Sequence, residues 1–234
     1  MASISKKLAL VTGGNRGIGF AIAQGLLTKG YDVILTSRSL DSAKQAAQKL
    51  NGNVIPLALD VSSNSSIERA VQTLKAQGIN QLDVLVNNAG VYPDSSVDML
   101  TISRELLDTA MQTNTFGVVR MVQAFLPLLE AAGNARIINV SSGMGALDGL
   151  TTTAPSYCLS KLALNGVTIM LAQSLASKGI VVNSMGPGWV KTDMGGSSAP
   201  RSPGQGADTA IWLVTEAPGT ETGKFWRDRN EIDF

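Results

Sequence analysis

The chain has no histidine. Ser-His-Asp and Cys-His nucleophilic sites are therefore excluded, together with every histidine-ligated metal centre. A single cysteine, Cys158, also rules out an intrachain disulfide and a thiolate zinc cage. The usual hydrolase chemistries are set aside, and no metal site is expected. An excess of either charge is missing too, since 19 Lys and Arg against 18 Asp and Glu leave a net charge of +1. That balance lacks the basic footprint that nucleic acid or an anionic membrane requires, so any phosphate recognition has to be local. Long apolar runs are absent as well. Leu8 to Val11, after the two lysines that end Met1 to Lys7, is cut off by Thr12-Gly13-Gly14 and is too short for a signal peptide. Leu162 to Ala176 is interrupted by Asn165, Thr168, Gln173 and Ser174, whereas a bilayer span takes about 20 mostly apolar residues. The expectation is a cytoplasmic chain with no membrane and no nucleic-acid partner.

What is present is enough apolar residue for one full core: 234 residues, 44% hydrophobic, with 24 glycines. Short β-branched and leucine-rich runs at Leu8 to Thr12, Asp32 to Ser37, Asn53 to Leu59, Leu82 to Val86, Ala135 to Ser141, Ile180 to Ser184 and, more weakly, Gly223 to Trp226 predict buried strands. Between them, helical patterns cover Gly17 to Lys29, Leu40 to Leu50, Ser65 to Gln77, Ser103 to Ala131 with a bend, Ser156 to Ser177 and Gln205 to Thr215. Strict alternation of strand and helix predicts an α/β fold, a doubly wound parallel sheet of the Rossmann type in one domain over 1–234. Gly143 to Pro155 and Gly186 to Pro203 are too long for plain turns and are candidate functional loops.

Ligands of such sheets sit at the carboxyl ends of the strands, where this chain places glycine and polar residues. After the first strand comes Thr12-Gly-Gly-Asn-Arg-Gly-Ile-Gly19, whose Gly13, Gly17 and Gly19 suit a tight turn and close approach to a pyrophosphate at a helix N-terminus, with Asn15, Arg16 and Ile18 between them. The second strand ends in Ser37-Arg38, where a proteins-for-NAD pattern would have an acid. Arg38 with Arg16 would instead form charge-assisted hydrogen bonds to a 2′-phosphate, although Asp41 nearby weakens that field. Asp60-Val61 ends the third strand, where the carboxylate would accept from an adenine amino group or cap the following helix. Asn87-Asn88-Ala89-Gly90 ends the fourth, two amides and a glycine that suit a backbone bonding its neighbours while admitting a cofactor.

Chemistry centres on Tyr157-Cys-Leu-Ser-Lys161. Residues four apart share a helix face, so phenol and ammonium point into one space, and the cation is expected to lower the phenol pKa from about 10. Ser142, just past a strand, is placed to hydrogen-bond a substrate oxygen, and Asn114 sits mid-helix where it is a poor helix former.

These motifs occur in the order found in the short-chain dehydrogenase/reductase family, which the chain resembles over nearly its whole length. The resemblance implies Asn114, Ser142, Tyr157 and Lys161 as the catalytic set. It implies Pro187-Gly188, Val190 and Thr192 as contacts around a nicotinamide, with Tyr157 and Lys161 also touching the cofactor. Thr-Gly-Gly-Asn-Arg-Gly-Ile-Gly-Phe and Leu-Thr-Ser-Arg are most similar to the NADPH-dependent carbonyl reductases of that family. Monomeric animal carbonyl reductases carry a long insertion before the catalytic tyrosine, and Gly143 to Ser156 leaves no room for one.

The expected function is NADPH-dependent reduction of small or medium aldehydes and ketones. Tyr157 would supply the proton, Ser142 would hold the oxygen, Lys161 would bond the ribose and Asn114 would hold a proton-passing water. Met144, Leu147, Leu150, Trp189 and Met194 are candidate pocket walls. Two alternatives remain: a 3-oxoacyl-thioester reductase, marked by an arginine patch among Arg104, Arg120, Arg136 and Arg201, and a catalytically silent NADP sensor. Helix Ser156 to Ser177 is apolar around almost its whole circumference (Leu159, Leu162, Leu164, Val167, Ile169, Met170, Leu171, Leu175). Ser103 to Ala131 carries more than one apolar stripe, with Val118, Val119, Met121, Val122, Phe125, Leu126 and Leu129. Both predict a homo-oligomer, dimer or tetramer.

Overall fold

Alternating burial along each strand fixes the layers. Ala9 and Val11 on β1 (Leu8–Val11), Val84 and Val86 on β4 (Val84–Asn87) and Ile138 and Val140 on β5 (Arg136–Val140) face one core. The residues between them, Leu10, Leu85 and Ile137, face the other. A strand with both faces buried reads as a continuous apolar run, which is why these were visible as strands. In the computed structural model, which describes residues 6–234, β2 (Asp32–Ser37), β3 (Val54–Ala58), β6 (Val181–Met185), β7 (Phe225–Arg227) and β8 (Asn230–Ile232) complete one sheet in the order β3-β2-β1-β4-β5-β6-β7-β8. Residues 1–5, part of the Met1 to Lys7 stretch weighed as a signal peptide, lie outside the described residues.

Helices α1 (Gly17–Thr28), α2 (Leu40–Ala47) and α7 (Pro203–Thr215) cover the first face. α3 (Asn64–Ala76), α5 (Gly117–Ala131) and α6 (Pro155–Leu175) cover the second. The chain returns from β3 at one edge to β4 beside β1, and this reversal opens the crevice in which such sheets bind ligands. Most predicted elements match within two residues at each end. The second helix stops at Ala47, three residues short of the expected Leu50.

The expected bend has a specific form. α4 (Arg104–Met111) passes into a π-turn, Gln112–Phe116, before α5. At its far side Gly117 runs against the Val61 carbonyl, 2.7 Å from where a Cβ would sit. The β7–β8 hairpin was half missed. Its turn is Asp228-Arg229, both left-handed (φ 50 and 63), without the Asn-Gly or Asp-Gly that signals such a turn in sequence. Ion pairs hold it instead: Asp228 to Arg201, and Arg229 to Asp208 at 2.6 Å.

The segment Pro155–Lys178 is long and apolar enough to cross a bilayer by length and composition alone. Here it lies on the sheet, with Asn165 and Thr168 buried and hydrogen-bonded to Gly145 O and Leu164 O. Its surplus apolar surface is smaller than expected. Leu164 and Leu175, and on α5 Val118, Met121, Val122, Phe125 and Leu129, are buried within the chain. Leu162, Val167, Ile169 and Leu171, with Val119 and Leu126 of α5, are partly buried, which leaves Phe116, Leu159 and Met170 exposed.

Candidate active site

The glycine loop is closed by its neighbours as much as by its own sequence. It turns through positive φ at Gly13 and Gly17, and Gly17 meets the Thr192 methyl at 3.1 Å from a hypothetical Cβ. At Gly19 a Cβ would lie 2.4 Å from Asn88 Nδ2 and 2.5 Å from Gly13 O, so only glycine fits. α1 then starts at the extended Arg16 with no side-chain cap, leaving its first N–H groups free for an anion.

A single run, Asn87 to Asp94, touches almost every other part of the site. Asn87 donates to Asn139 Oδ1 at 2.9 Å, and Asn139 donates in turn to Thr168 Oγ1 at 2.9 Å. Asn87 thus faces the sheet interior, spending its amide on the scaffold. The Asn88 and Ala89 amides both donate to Thr12 Oγ1 at 2.9 Å, locking this run to the glycine loop. Gly90 faces the chemistry: a Cβ there would stand 3.1 Å from Asn114 Oδ1 and 3.6 Å from Lys161 Nζ.

Asn114, in the π-turn, is fully buried. Its Oδ1 accepts from Val91 N at 2.8 Å, and its Nδ2 donates to Val91 O and to Ser160 Oγ, each at 2.9 Å. The poor helix former occupies the one place where the helix is not regular. Lys161 is buried, donates to Val140 O at 2.8 Å and lies 5.7 Å from the Tyr157 ring centroid. Ser142 accepts from Met144 N at 3.1 Å, opening the first of two 3₁₀ turns that make up the expected loop after β5.

One expectation is reversed. Burial pushes the Tyr157 phenol up to about 12, with the neighbouring Ser142 hydroxyl pulling the other way. Burial likewise brings the Lys161 ammonium down to about 8. Desolvation disfavours the charged form of each, and it is the largest influence on both. The phenol is therefore firmly protonated near neutrality.

At the other end of the crevice, Ser37 is buried while Arg38 is exposed. Arg16 is held by Asp193 of the 186–202 loop, a contact that competes with its expected place beside Arg38. Asp60 Oδ1 accepts from Ser62 N at 3.0 Å and Ser62 Oγ at 2.7 Å, closing a turn, while the cap of the following helix expected of it falls to Ser63. Val61 is buried in the core, which leaves only its backbone to a ligand. Asn15 and Ile18 are partly buried on the loop, Pro187 and Gly188 follow β6, and Val190 is buried against the bridge to Arg201. The free α1 N-terminus, the close-packed glycines and Arg38 at the end of β2 fit a phosphate-bearing dinucleotide.

Among the expected pocket walls, Leu147, Leu150, Trp189 and Met194 are exposed and Met144 is partly buried. None of the five is core. Tyr92 and Asp94 were missed: the Tyr92 ring lies 4.6 Å from that of Tyr157 at 59°, and Asp94 accepts from Ser156 N at 2.6 Å. Position just after Asn-Asn-Ala-Gly was the only available signal. Arg104, Arg120, Arg136 and Arg201 have separate partners, namely Asp108, Asn64 with Gln123, the Leu213 and Ala217 carbonyls, and Asp228.

A family model described as short chain dehydrogenase matches residues 7–202. The chain is 34% identical over 250 aligned positions to a short-chain dehydrogenase of Penicillium roqueforti, covering 99% of this chain and 98% of that protein. It is 34% identical over 192 positions to a 3-oxoacyl-[acyl-carrier-protein] reductase of Salmonella typhimurium, covering 82% and 77%. Among solved structures, the NADPH-bound carbonyl reductase from chicken fatty liver superposes with a TM-score of 0.85 at 28% identity, over 95% of this chain and 96% of that one.

Proposed function

The chain belongs to the short-chain dehydrogenase family of oxidoreductases, and from that premise we propose that it is an NADPH-dependent carbonyl reductase acting on aldehydes and ketones. The observation that carries the reading is the buried Tyr157 phenol with Ser142 and Lys161 beside it. A group held up to about 12 is an acid at neutral pH, which suits protonation of a nascent alkoxide. When bound, the nicotinamide cofactor supplies the hydride. Ser142, at the mouth of the first 3₁₀ turn, holds the substrate oxygen beside Tyr157. Lys161 restores the proton to Tyr157 and bonds the ribose. The amide of Asn114 is already spent on Val91 and Ser160, so it acts by fixing the segment after Asn-Asn-Ala-Gly against α6.

Preference for NADPH is supported by Arg38 and by the absence of an acid at the end of β2. The thioester-reductase alternative draws support from relatives such as the Salmonella enzyme. The separate engagement of its four candidate arginines counts against it. A silent sensor would have no use for Ser142, Tyr157 and Lys161 together. Self-association would cover Phe116, Leu159 and Met170, and the mass in light scattering against the 24.4 kDa chain decides it.

A panel of aldehydes, ketones and 3-oxoacyl thioesters, followed by NADPH absorbance, tests the reading. The expected result is turnover of simple carbonyls above thioesters, with lower kcat/KM for NADH. Equal use of both cofactors, or no turnover beyond that of the Tyr157→Phe variant, would overturn it.

A further inference from the structure

α6 begins badly for a helix that carries the reacting groups. Its N-cap, Ala154, is left-handed (φ 58) and offers no side-chain acceptor, and Pro155 follows at the first position. Helix starts are ordinarily capped by Ser, Thr, Asp or Asn at that place. Here the acceptor comes from 62 residues away: Asp94 Oδ2 takes the Ser156 amide at 2.6 Å, with Asp94 only 1% exposed. Next along the helix is Tyr157, and two residues before Asp94 is Tyr92, packed on the Tyr157 ring. The same short segment therefore touches the Tyr157 ring and holds the backbone of the residue before it.

Stability alone is a poor account of this carboxylate. A neutral asparagine or serine would cap equally well, whereas a buried anion carries a desolvation cost that it must recover elsewhere. Two further groups at the junction, Asp94 Oδ1 and Ser156 Oγ, are buried without a hydrogen-bond partner among the described residues. Buried groups left unpaired in a folded chain call for a reason beyond packing.

We propose that Asp94 is a positioning residue for Tyr157, its buried carboxylate fastening the first turn of α6 to the cofactor-side segment and countering the positive end of that helix. The proposal rests on the reading of Tyr157 as the proton donor. Because Val91 holds Asn114 while Asp94 holds Ser156, the run that begins at Asn87 couples the cofactor crevice to the placement of the phenol. The groups acting on the Tyr157 phenol are Ser142 after β5, Cys158 on its own helix and Tyr92 on the facing segment, with Lys161 Nζ 5.7 Å from its ring; Asp94 reaches it through the Ser156 amide and the helix end. Negative charge at a helix N-terminus opposes the dipole there. Its removal leaves that positive end facing Tyr157, which favours the phenolate.

The test uses Asp94→Asn, which keeps an acceptor oxygen but removes the charge, and Asp94→Ala, which removes both. The chain has only three tyrosines, so ¹³Cζ-tyrosine NMR, with Tyr157→Phe for assignment, follows the phenol without any substrate. Asp94→Ala is expected to lower kcat about tenfold or more with KM for NADPH nearly unchanged, as a loss of positioning would. Asp94→Asn should recover most of kcat, while its Tyr157 titration and the alkaline limb of reduction move down by about half to one pH unit. If Asp94→Asn titrates as the wild type does and Asp94→Ala loses thermal stability but not kcat, the carboxylate is only a structural cap and the proposal falls. Should the protein reduce no carbonyl while the NMR shift appears, the positioning stands and the functional reading fails.

Discussion

The two ends of the crevice are built differently. Around β4, β5 and α6, polar groups are buried and bonded in two chains: Asn87 to Asn139, Asn139 to Thr168 and Thr168 with Ser184 at 2.8 Å in one, and Asn114 to Ser160 to the Tyr157 carbonyl in the other. Around the glycine loop and the ends of β2 and β3, the charged groups Arg16 and Arg38 stand in solvent, and Asp60 serves its own turn. The contrast teaches where pre-organisation is built. Groups that move protons must be held to within fractions of an ångström, whereas groups that select a charged cofactor act over longer range and tolerate motion.

If that contrast is right, substitutions at the buried end should change rate and stability, and those at the exposed end mainly cofactor choice. The largest expected effect is Tyr157→Phe, which removes one hydroxyl and should lower kcat about 10² to 10⁴-fold while NADPH binding persists in calorimetry. A variant retaining a tenth of kcat would remove Tyr157 as the acid.

Next is Lys161→Met. Because the folded-state value of Lys161, about 8, lies below the ordinary 10.5, the unfolded chain binds the extra proton between those values. Wild-type stability is therefore depressed below pH 8 and recovers as pH rises towards 10.5. At pH 7 the variant should be more stable by on the order of 2 kcal/mol, after allowing for the unpaired Val140 carbonyl, and inactive. The gain should shrink through pH 8 to 10.5 in thermal melts. A pH-independent difference would mean that burial does not depress Lys161, which would then titrate alike in the folded and unfolded chain.

Arg38→Asp at the exposed end should cut the NADPH over NADH preference in kcat/KM by about tenfold to a hundredfold, leaving melting unchanged. Loss of folding instead would show that this end is no less structural than the other. Smallest of all, Asp193→Ala frees Arg16 from a solvent-exposed pair and should shift KM for NADPH by about twofold, with the difference vanishing at high salt. A tenfold effect would place Asp193 among the structural members of the site.

Much of the molecule was legible before its structure. The glycine loop, Asn-Asn-Ala-Gly and Tyr-x-x-x-Lys are local patterns, and each strand buried on both faces announces itself as an apolar run. The hairpin ending in β8 was hidden because Asp228 and Arg229 adopt a left-handed turn held by distant partners, Arg201, Asp208 and Thr209, rather than by its own residue types. Asp94 and Tyr92 were hidden for a related reason. Their partners Ser156 and Tyr157 are more than 60 residues distant along the chain.

The sequence by itself determined the fold class, the order of strands and helices as far as β7 and which side chains end each of the first six strands, because periodicity and turn chemistry act between near neighbours. Tertiary structure alone decided how those side chains are used. It turned Asn87 inward, spent the amide of Asn114, drew Arg16 to Asp193 and raised the Tyr157 phenol instead of lowering it. Desolvation and hydrogen-bond satisfaction depend on every atom around a group, and those atoms come from all parts of the chain.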